Sequence, residues 1–282
     1  MSIKIGNELL EVVSPPLIGR VNKPRERGLN IVMDKGRGLR ETKDILELVA
    51  DYVDFIKLGF GTSAFYPEDK LKEKIELIKD YNINILPGGT FLEAAILQNS
   101  YQEFLTKIRE IGFDTVEVSD GTIDISKNLR RKIIKEAINL DFKVLTEVGK
   151  KASNKKFNEQ QIIKQIKRDL AAGAYKVIIE ARESGQNVSI FDSKGEADEF
   201  KLKEIVLEIN DLEDLIWEAP LKKQQVYFIS LFGNNVNLAN LKFEDIIAIE
   251  ALRNGLRSDT LVNAIDKEND YSYTDILEKL SL

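Results

Sequence analysis

The sequence contains no cysteine and no histidine. Without cysteine there is no disulfide, no thiolate nucleophile, and no zinc–thiolate or iron–sulfur site. Without histidine there is no imidazole base, which excludes a Ser-His-Asp hydrolase and transition metals bound by imidazole. Proton transfer must therefore use Lys, Asp, Glu or Tyr, and a bound metal is expected to be a hard cation such as Mg²⁺ held by oxygen.

Long apolar runs are also missing. No stretch approaches the roughly 20 residues of a membrane span, and the N-terminal region has no signal-peptide core. The net charge is -6, with both signs mixed along the chain and no basic block interleaved with aromatic residues. We therefore expect a cytoplasmic protein that binds neither a membrane nor nucleic acid.

The chain instead alternates short apolar runs with stretches of helical spacing. We predict strands at Leu29–Asp34, Val53–Leu58, Asn84–Pro87, Thr115–Val118, Lys143–Glu147, Lys176–Glu180, Leu215–Glu218 and Asn235–Leu238. About eight strand–helix units at intervals of about 30 residues are typical of a (β/α)₈ TIM barrel, which is an α/β fold of a single domain. The barrel is expected at residues 28–257, between an N-terminal arm at 1–27 and a C-terminal helical tail at 258–282. This tail is expected to pack on the barrel or on a neighbouring subunit of a homo-oligomer.

Charged residues stand at the ends of the predicted strands, and these ends meet at the catalytic face of a TIM barrel. Burying such charges without a partner is expensive, which favours a functional site. The candidates are Asp34, Lys35, Lys57, Glu117, Glu147, Lys150, Glu180, Arg182, Glu183 and Glu218. The glutamates of this set can supply oxygen ligands for Mg²⁺ or form structural ion pairs with the basic residues, and the pattern leaves both interpretations open.

Lys150 and three glycine-rich turns complete the candidate site. Lys150 follows Gly149, which lets the backbone turn into the pocket, so this lysine can act as a general acid, an anion clamp or a Schiff-base amine. Lys151 is better explained as a solvated loop residue. The turns at 59–63, 87–90 and 233–237 carry glycine, which frees backbone N–H groups for a phosphate or a carboxylate.

A set of motifs resembles the phosphosulfolactate synthase family, in order and spacing, from about Gly28 to Thr260. The motifs are Asp34-Lys35-Gly36, Lys57-Leu58-Gly59-Phe60-Gly61-Thr62-Ser63, Pro87-Gly88-Gly89-Thr90-Phe91-Leu92-Glu93, Thr146-Glu147-Val148-Gly149-Lys150-Lys151, Glu180-Ala181-Arg182-Glu183-Ser184-Gly185 and Glu218-Ala219-Pro220. In the eighth-strand segment, Asn234 and Ala239 replace a proline and a glycine of the family's pattern. The resemblance implies a TIM barrel that adds sulfite to phosphoenolpyruvate with Mg²⁺, a step of coenzyme M synthesis in methanogens and of sulfolactate production in bacteria.

The resemblance also implies roles for individual residues. Mg²⁺ would stabilise the enediolate that forms when sulfite attacks, and a lysine would protonate the carbon that bears the phosphate. On this basis we assign catalysis to Lys150, Lys57 and Arg182, substrate binding to Lys35, Gly88, Gly89, Asn235 and Asn237, and metal binding to Glu117, Glu147, Glu180 and Glu218. The expected partners are two small anionic substrates, phosphoenolpyruvate and sulfite.

Two other functions stay open. In an aldolase-like barrel, Lys150 or Lys57 would form a Schiff base, and borohydride with a keto acid would leave a mass adduct on that lysine. In a non-catalytic, stress-associated relative of the family, the folded protein would show no turnover with phosphoenolpyruvate, sulfite and Mg²⁺.

Overall fold

Parallel β-strands form the centre of the protein, as seen in a computed structural model that describes residues 8–149, 159–181, 184–186, 190–265, 276 and 278–280. The strands are β1 (Asn30–Asp34), β2 (Phe55–Leu58), β3 (Asn84–Pro87), β4 (Thr115–Val118), β5 (Lys143–Val148), β6 (Lys176–Ile179), β7 (Leu215–Glu218) and β8 (Leu238–Leu241). They form one 8-stranded sheet in the order β3-β2-β1-β8-β7-β6-β5-β4. The sheet curls into a nearly complete barrel, which confirms the predicted (β/α)₈ TIM fold.

The barrel closes where β3 and β4, the two ends of this order, contact each other. Side-chain carboxylates bridge the junction. Asp114 Oδ1 accepts a hydrogen bond from the Ile85 N–H at 2.9 Å, and Glu117 Oε1 accepts one from the Gly89 N–H at 3.1 Å. Glu117 therefore belongs both to the barrel wall and to the cluster of charges described below.

Helices surround the strands. They are α1 (Leu9–Val12), α2 (Leu39–Val49), α3 (Glu68–Asp80), α4 (Gly89–Leu97), α5 (Tyr101–Ile111), α6 (Lys127–Asn139), α7 (Glu159–Ala172), α8 (Glu199–Glu208), α9 (Lys222–Phe232), α10 (Ile246–Arg253) and α11 (Ser258–Ile265). Among the residues described, no helix is both long and apolar enough to cross a membrane.

Helix α5 shows how the sequence sets these elements. Its buried residues Tyr101, Leu105 and Ile108 recur at helical spacing and face the strands. Gly112 follows with φ 116, and its N–H donates to the carbonyl of Ile108 at 3.2 Å. Glycine takes this backbone conformation easily, so the helix ends there and the chain enters β4.

Two apolar layers pack against the sheet. One fills the space between the strands and the helices, and the other fills the inside of the barrel. The inner layer consists of Leu29, Ile31, Phe55, Leu86, Leu145, Ile178, Ile216 and Ala239. Because side chains alternate along a strand, a residue two positions beyond one of these also faces the interior. This alternation identifies which charged side chains at the strand ends face the interior.

The eighth strand corrects the prediction from the sequence. It is Leu238–Leu241 rather than Asn235–Leu238. Asn237 lies before the strand, and its Nδ2 donates to the carbonyl of Leu215, the first residue of β7, at 3.0 Å. The predicted asparagines therefore lie at the amino end of the barrel and not at its catalytic end.

Candidate active site

Charged side chains face the barrel interior at the carboxyl ends of the strands. Four of them follow an inner-layer residue by two positions: Lys57 after Phe55, Glu147 after Leu145, Glu180 after Ile178 and Glu218 after Ile216. Glu117 joins them from β4 through an ion pair with Lys57. Their exposed fractions are 8% for Lys57 and 1–4% for the glutamates. We call these five residues the carboxylate cluster.

Lys57 is the cation of the cluster. Its Nζ lies 2.7 Å from Glu117 Oε2 and 3.6 Å from Glu147 Oε2. Burial alone lowers the pKa of Lys57, but the carboxylates, Glu117 first and then Glu147, outweigh burial and hold the pKa above its ordinary value. Lys57 is therefore an ammonium ion at neutral pH. A Schiff base needs a neutral amine, so this environment disfavours the aldolase-like role for Lys57.

Glu218 shows that the cluster carries an excess of negative charge. Burial and then the Glu147 carboxylate raise the pKa of Glu218 to about 7, although Lys57 and the Ala181 N–H act in the opposite direction. That N–H donates to Glu218 Oε2 at 2.8 Å. One ammonium does not neutralise the carboxylates around it, so the cluster attracts a proton or another cation.

The glycine-rich turn after β3 packs tightly against the cluster. The Gly88 N–H donates to the Leu58 carbonyl at 2.8 Å, and the Gly89 N–H donates to Glu117 at 3.1 Å. A Cβ at position 89 would collide with the Glu117 carboxylate, which explains the glycine. Both N–H groups bind oxygens of the protein, so substrate binding by these two glycines stays a prediction.

The turn after β1 is held by contacts on the helix side of the sheet and not in the barrel interior. Asp34 lies one position out of phase with the inner layer and faces α3, where its Oδ2 is 2.7 Å from Lys74 Nζ. Its Oδ1 accepts from the Gly36 N–H at 2.8 Å. Asp34 and Lys74 are both buried. Asp34 therefore shapes the loop that carries the exposed Lys35, whose role in substrate binding stays a prediction.

The asparagines predicted to bind substrate lie at the other end of the barrel. Asn235 Nδ2 donates to the Gly19 carbonyl at 2.8 Å, and Asn237 Oδ1 accepts from the Leu29 N–H at 3.0 Å. These bonds attach the N-terminal arm and the start of β1 to the amino end of β8. The placement of Asn235 and Asn237 at the catalytic face was wrong, because the strand begins after them and not with them.

Two predicted catalytic residues, Lys150 and Arg182, lie outside the described residues, as do Lys151 and Glu183. Their roles stay predictions.

Arg130 on α6 is a buried residue near the cluster that the sequence did not single out. Its Nη2 donates to the backbone carbonyl of Glu147 at 3.0 Å, and its Nη1 contacts Asp120, after β4, at 3.2 Å. Its Nε donates to Asp169 on α7 at 3.0 Å. Arg130 thus ties two helices to the ends of two strands of the site. No sequence pattern indicates such a pair, because Arg130 and Asp169 stand in ordinary amphipathic helices.

The described residues do not bring three acidic groups together closely enough to enclose a metal ion by themselves. A metal at the carboxylate cluster would therefore need oxygen ligands from substrate or water in addition to the protein.

The amino-acid sequence of this barrel is similar to those of known proteins. A model of the (2R)-phospho-3-sulfolactate synthase family matches residues 19–259 of the chain. The chain belongs to the phosphosulfolactate synthase family. The phosphosulfolactate synthase of Methanocaldococcus jannaschii is 46% identical over 237 residues, which cover 83% of this chain and 94% of that protein. The phosphosulfolactate synthase of Bacillus subtilis is 40% identical over 243 residues, which cover 86% of this chain and 95% of that protein.

These matches confirm the resemblance drawn from the motifs, and membership of the phosphosulfolactate synthase family makes the chain an enzyme of the carbon–sulfur lyase type. Among solved structures, the YdjI aldolase from Escherichia coli K12 matches with a TM-score of 0.50 and 11% identity, covering 90% of each chain. That likeness shows the barrel fold alone.

Proposed function

We propose that this chain joins sulfite to phosphoenolpyruvate to give (2R)-2-O-phospho-3-sulfolactate, with Mg²⁺ at the carboxylate cluster and Lys150 as the proton donor. The observation that carries the proposal is the buried cluster of one ammonium and four carboxylates at the catalytic end of a barrel of this family. A site with this charge pattern suits a reaction in which a metal cation and anionic substrates are gathered together.

The donor set fits Mg²⁺. This ion takes oxygen ligands, commonly one or two carboxylates together with oxygens of substrate and water. Glu147 and Glu218 are the best pair, because their repulsion contributes to the raised pKa of Glu218. Glu117 is already engaged by Lys57 and the Gly89 N–H. When bound, Mg²⁺ supplies positive charge that offsets the negative charge developing on the substrate carboxylate.

Lys57 acts in this scheme as a fixed cation. Its raised pKa means that it keeps its proton at neutral pH. It therefore attracts the anionic substrates and holds Glu117 and Glu147 in place without transferring a proton itself. Lys35 and Arg182 would add positive charge around the phosphate and the sulfite.

The bond changes balance without any other reactant. The sulfur lone pair of sulfite forms a bond to the methylene carbon of phosphoenolpyruvate, and the π electrons of the double bond move toward C2 and its carboxylate. Lys150 then gives a proton to C2, the carbon that bears the phosphate. One C–S bond and one C–H bond form, no group leaves, and Lys150 regains its proton from solvent.

Phosphorus NMR of phosphoenolpyruvate incubated with sulfite, Mg²⁺ and the protein tests the reaction. We expect the enol phosphate signal of phosphoenolpyruvate to be replaced by the signal of an alkyl phosphate monoester, without release of inorganic phosphate. A folded protein that leaves the signal unchanged would contradict the proposal and favour the non-catalytic alternative. A parallel sample with EDTA should remain unreacted, and full activity after thorough chelation would remove Mg²⁺ from the mechanism.

Lys150→Ala tests the proton donor, with Lys151→Ala as its matched control. General acid catalysis contributes about 10²- to 10⁴-fold, so Lys150→Ala should lower kcat by that factor while Lys151→Ala retains most of the activity. Circular dichroism should show both variants folded. Wild-type turnover by Lys150→Ala would assign the proton transfer to another group.

A further inference from the structure

Strand β8 contains a β-bulge opposite β1. Leu238 pairs with Asn30 and Leu241 pairs with Val32, so the ladder advances by two residues on β1 and by three on β8. One residue of β8 is therefore extra. Bulges of this kind occur at the rims of barrels and beside active sites, where they redirect a side chain.

The bulge directs Asn240 toward the inside of the barrel. Leu238 and Leu241 both belong to the apolar layer between strands and helices, and Ala239 belongs to the inner layer. In an unbroken strand, Leu238 and Leu241 would face opposite sides, because side chains alternate. They face the same side because the bulge places both intervening residues, Ala239 and Asn240, on the interior side.

Asn240 lies at the level of the carboxylate cluster. Ala239 pairs with Glu218 across the β7–β8 ladder, and Asn240 is one residue nearer to the catalytic end of the barrel. Asn240 is only 7% exposed. The residue is therefore largely buried next to the pocket whose charges the substrates would meet.

The backbone of Asn240 is unusual for its position. Its φ is 57, in the left-handed region. Asn82, Asn99 and Asp141 share this conformation, but each follows the end of a helix, where it is common. Within a strand a non-glycine residue takes it against steric resistance, and such backbone strain concentrates at functional sites.

The amide of Asn240 is available to a ligand. Among the described residues, its side chain has no hydrogen-bond partner. Its nitrogen and oxygen are not among the fully buried polar atoms that lack a partner, so both touch solvent and a ligand can approach them. Its NH₂ group is a neutral donor beside several carboxylates, which suits an oxygen of an anion that the carboxylates alone would repel.

We propose that Asn240 is a substrate-binding residue whose side-chain amide donates to an oxyanion oxygen of the substrate. The identity of that substrate, phosphoenolpyruvate, rests on the proposed function. The bulge and the left-handed backbone hold the amide toward the pocket, so the conformational strain of β8 serves ligand binding.

Asn240→Gly tests this role without disturbing the backbone, because glycine accepts a φ of 57 more easily than asparagine does. Loss of a hydrogen bond to a charged group should raise KM for phosphoenolpyruvate about tenfold or more, while the melting temperature stays equal or rises. Asn240→Asp keeps the shape and the conformational preference but adds negative charge, so KM should rise further. Asn99→Gly is the matched control, since Asn99 has the same φ of 57 on an exposed turn, and it should leave KM unchanged.

Stabilisation against heat by phosphoenolpyruvate with Mg²⁺ separates this inference from the proposed reaction, because it needs no turnover. If wild type is stabilised without turning over, the proposed function fails, and a smaller stabilisation of Asn240→Gly still supports the binding role of Asn240. Equal stabilisation and equal KM in wild type and Asn240→Gly would overturn that role. Absence of any stabilisation of wild type would overturn it as well, because the pocket would then not take this anion.

Discussion

The two ends of the barrel both bury charge, and they do so in different ways. At the amino end, arginines grip single carboxylates with two nitrogens: Arg25 contacts Asp54 at 2.8–3.1 Å, and Arg20 contacts Glu250 at 2.9 and 3.1 Å. At the carboxyl end, the single ammonium of Lys57 contacts the carboxylates of Glu117 and Glu147. Paired charges suit a permanent structural contact, and unbalanced charges suit a site that receives ligands.

Two buried glutamates show the difference directly. Burial raises the pKa of Glu250, but Arg20 outweighs burial and holds the pKa below its ordinary value. At the other end, burial and then Glu147 raise the pKa of Glu218 to about 7. Glu250 thus stays ionised where the fold needs an ion pair. Glu218 is only partly ionised at neutral pH, where the proposed metal would bind.

The largest expected effect on stability comes from a substitution at the amino end. Arg25→Met would leave Asp54 buried without its guanidinium partner, which should lower the free energy of unfolding by about 3–5 kcal/mol. Urea denaturation measures the loss, and kcat of the folded fraction should be unchanged. An unaltered urea midpoint, or a selective loss of kcat, would remove the contrast between the two ends.

Lys57→Met should have the next largest effect, and this substitution should lower kcat. Removal of one preorganised group that stabilises charge costs about 10²- to 10³-fold in kcat, so we expect a loss of that size at temperatures where the variant is folded. The same preparation should be compared with Arg25→Met by urea denaturation and initial rates. Wild-type kcat in Lys57→Met would show that the carboxylates work without their internal cation.

The pH dependence of stability should give the smallest effect. The unfolded chain loses the Glu218 proton near pH 4.5, whereas the folded protein keeps it to about pH 7. Between these values the folded state binds more protons, so stability falls as pH rises, by about 3 kcal/mol for one such group.

Urea unfolding at pH 5 and pH 8 without Mg²⁺ measures this fall. Wild type should lose more stability than Glu218→Gln over the interval, and saturating Mg²⁺ should reduce the wild-type loss because it binds the ionised carboxylate. Equal losses in the two proteins would show that Glu218 titrates near its ordinary pKa.

The sequence was sufficient to predict the barrel and its charged end, because apolar runs that stop at a charge recur at regular spacing. It was not sufficient to decide which face each charge takes. Asp34 and Glu218 both end a strand, yet Asp34 faces α3 and Glu218 faces the interior. In a parallel sheet both faces are apolar, so the sequence does not show which alternate set points inward.

The eighth strand shows a second limit. The sequence predicts Asn235 and Asn237 in a strand that carries the site, but their side chains form hydrogen bonds with backbone groups at the amino end. The bulge at Asn240 depends on the pairing of β8 with β1, and no local pattern indicates it. Contacts between distant elements, such as Arg130 with Asp169, also cannot be predicted from a local sequence pattern.

The hydrogen bond between the Gly89 N–H and Glu117 has a practical consequence. The proton chemical shift of a backbone amide responds to the ionisation of a carboxylate that accepts from it. The Gly89 resonance should therefore report the charge state of Glu117, and through Lys57 that of its neighbours, during titration with acid or with Mg²⁺. The junction that closes the barrel thus provides a spectroscopic probe of the site that needs ¹⁵N labelling of the protein but no substrate.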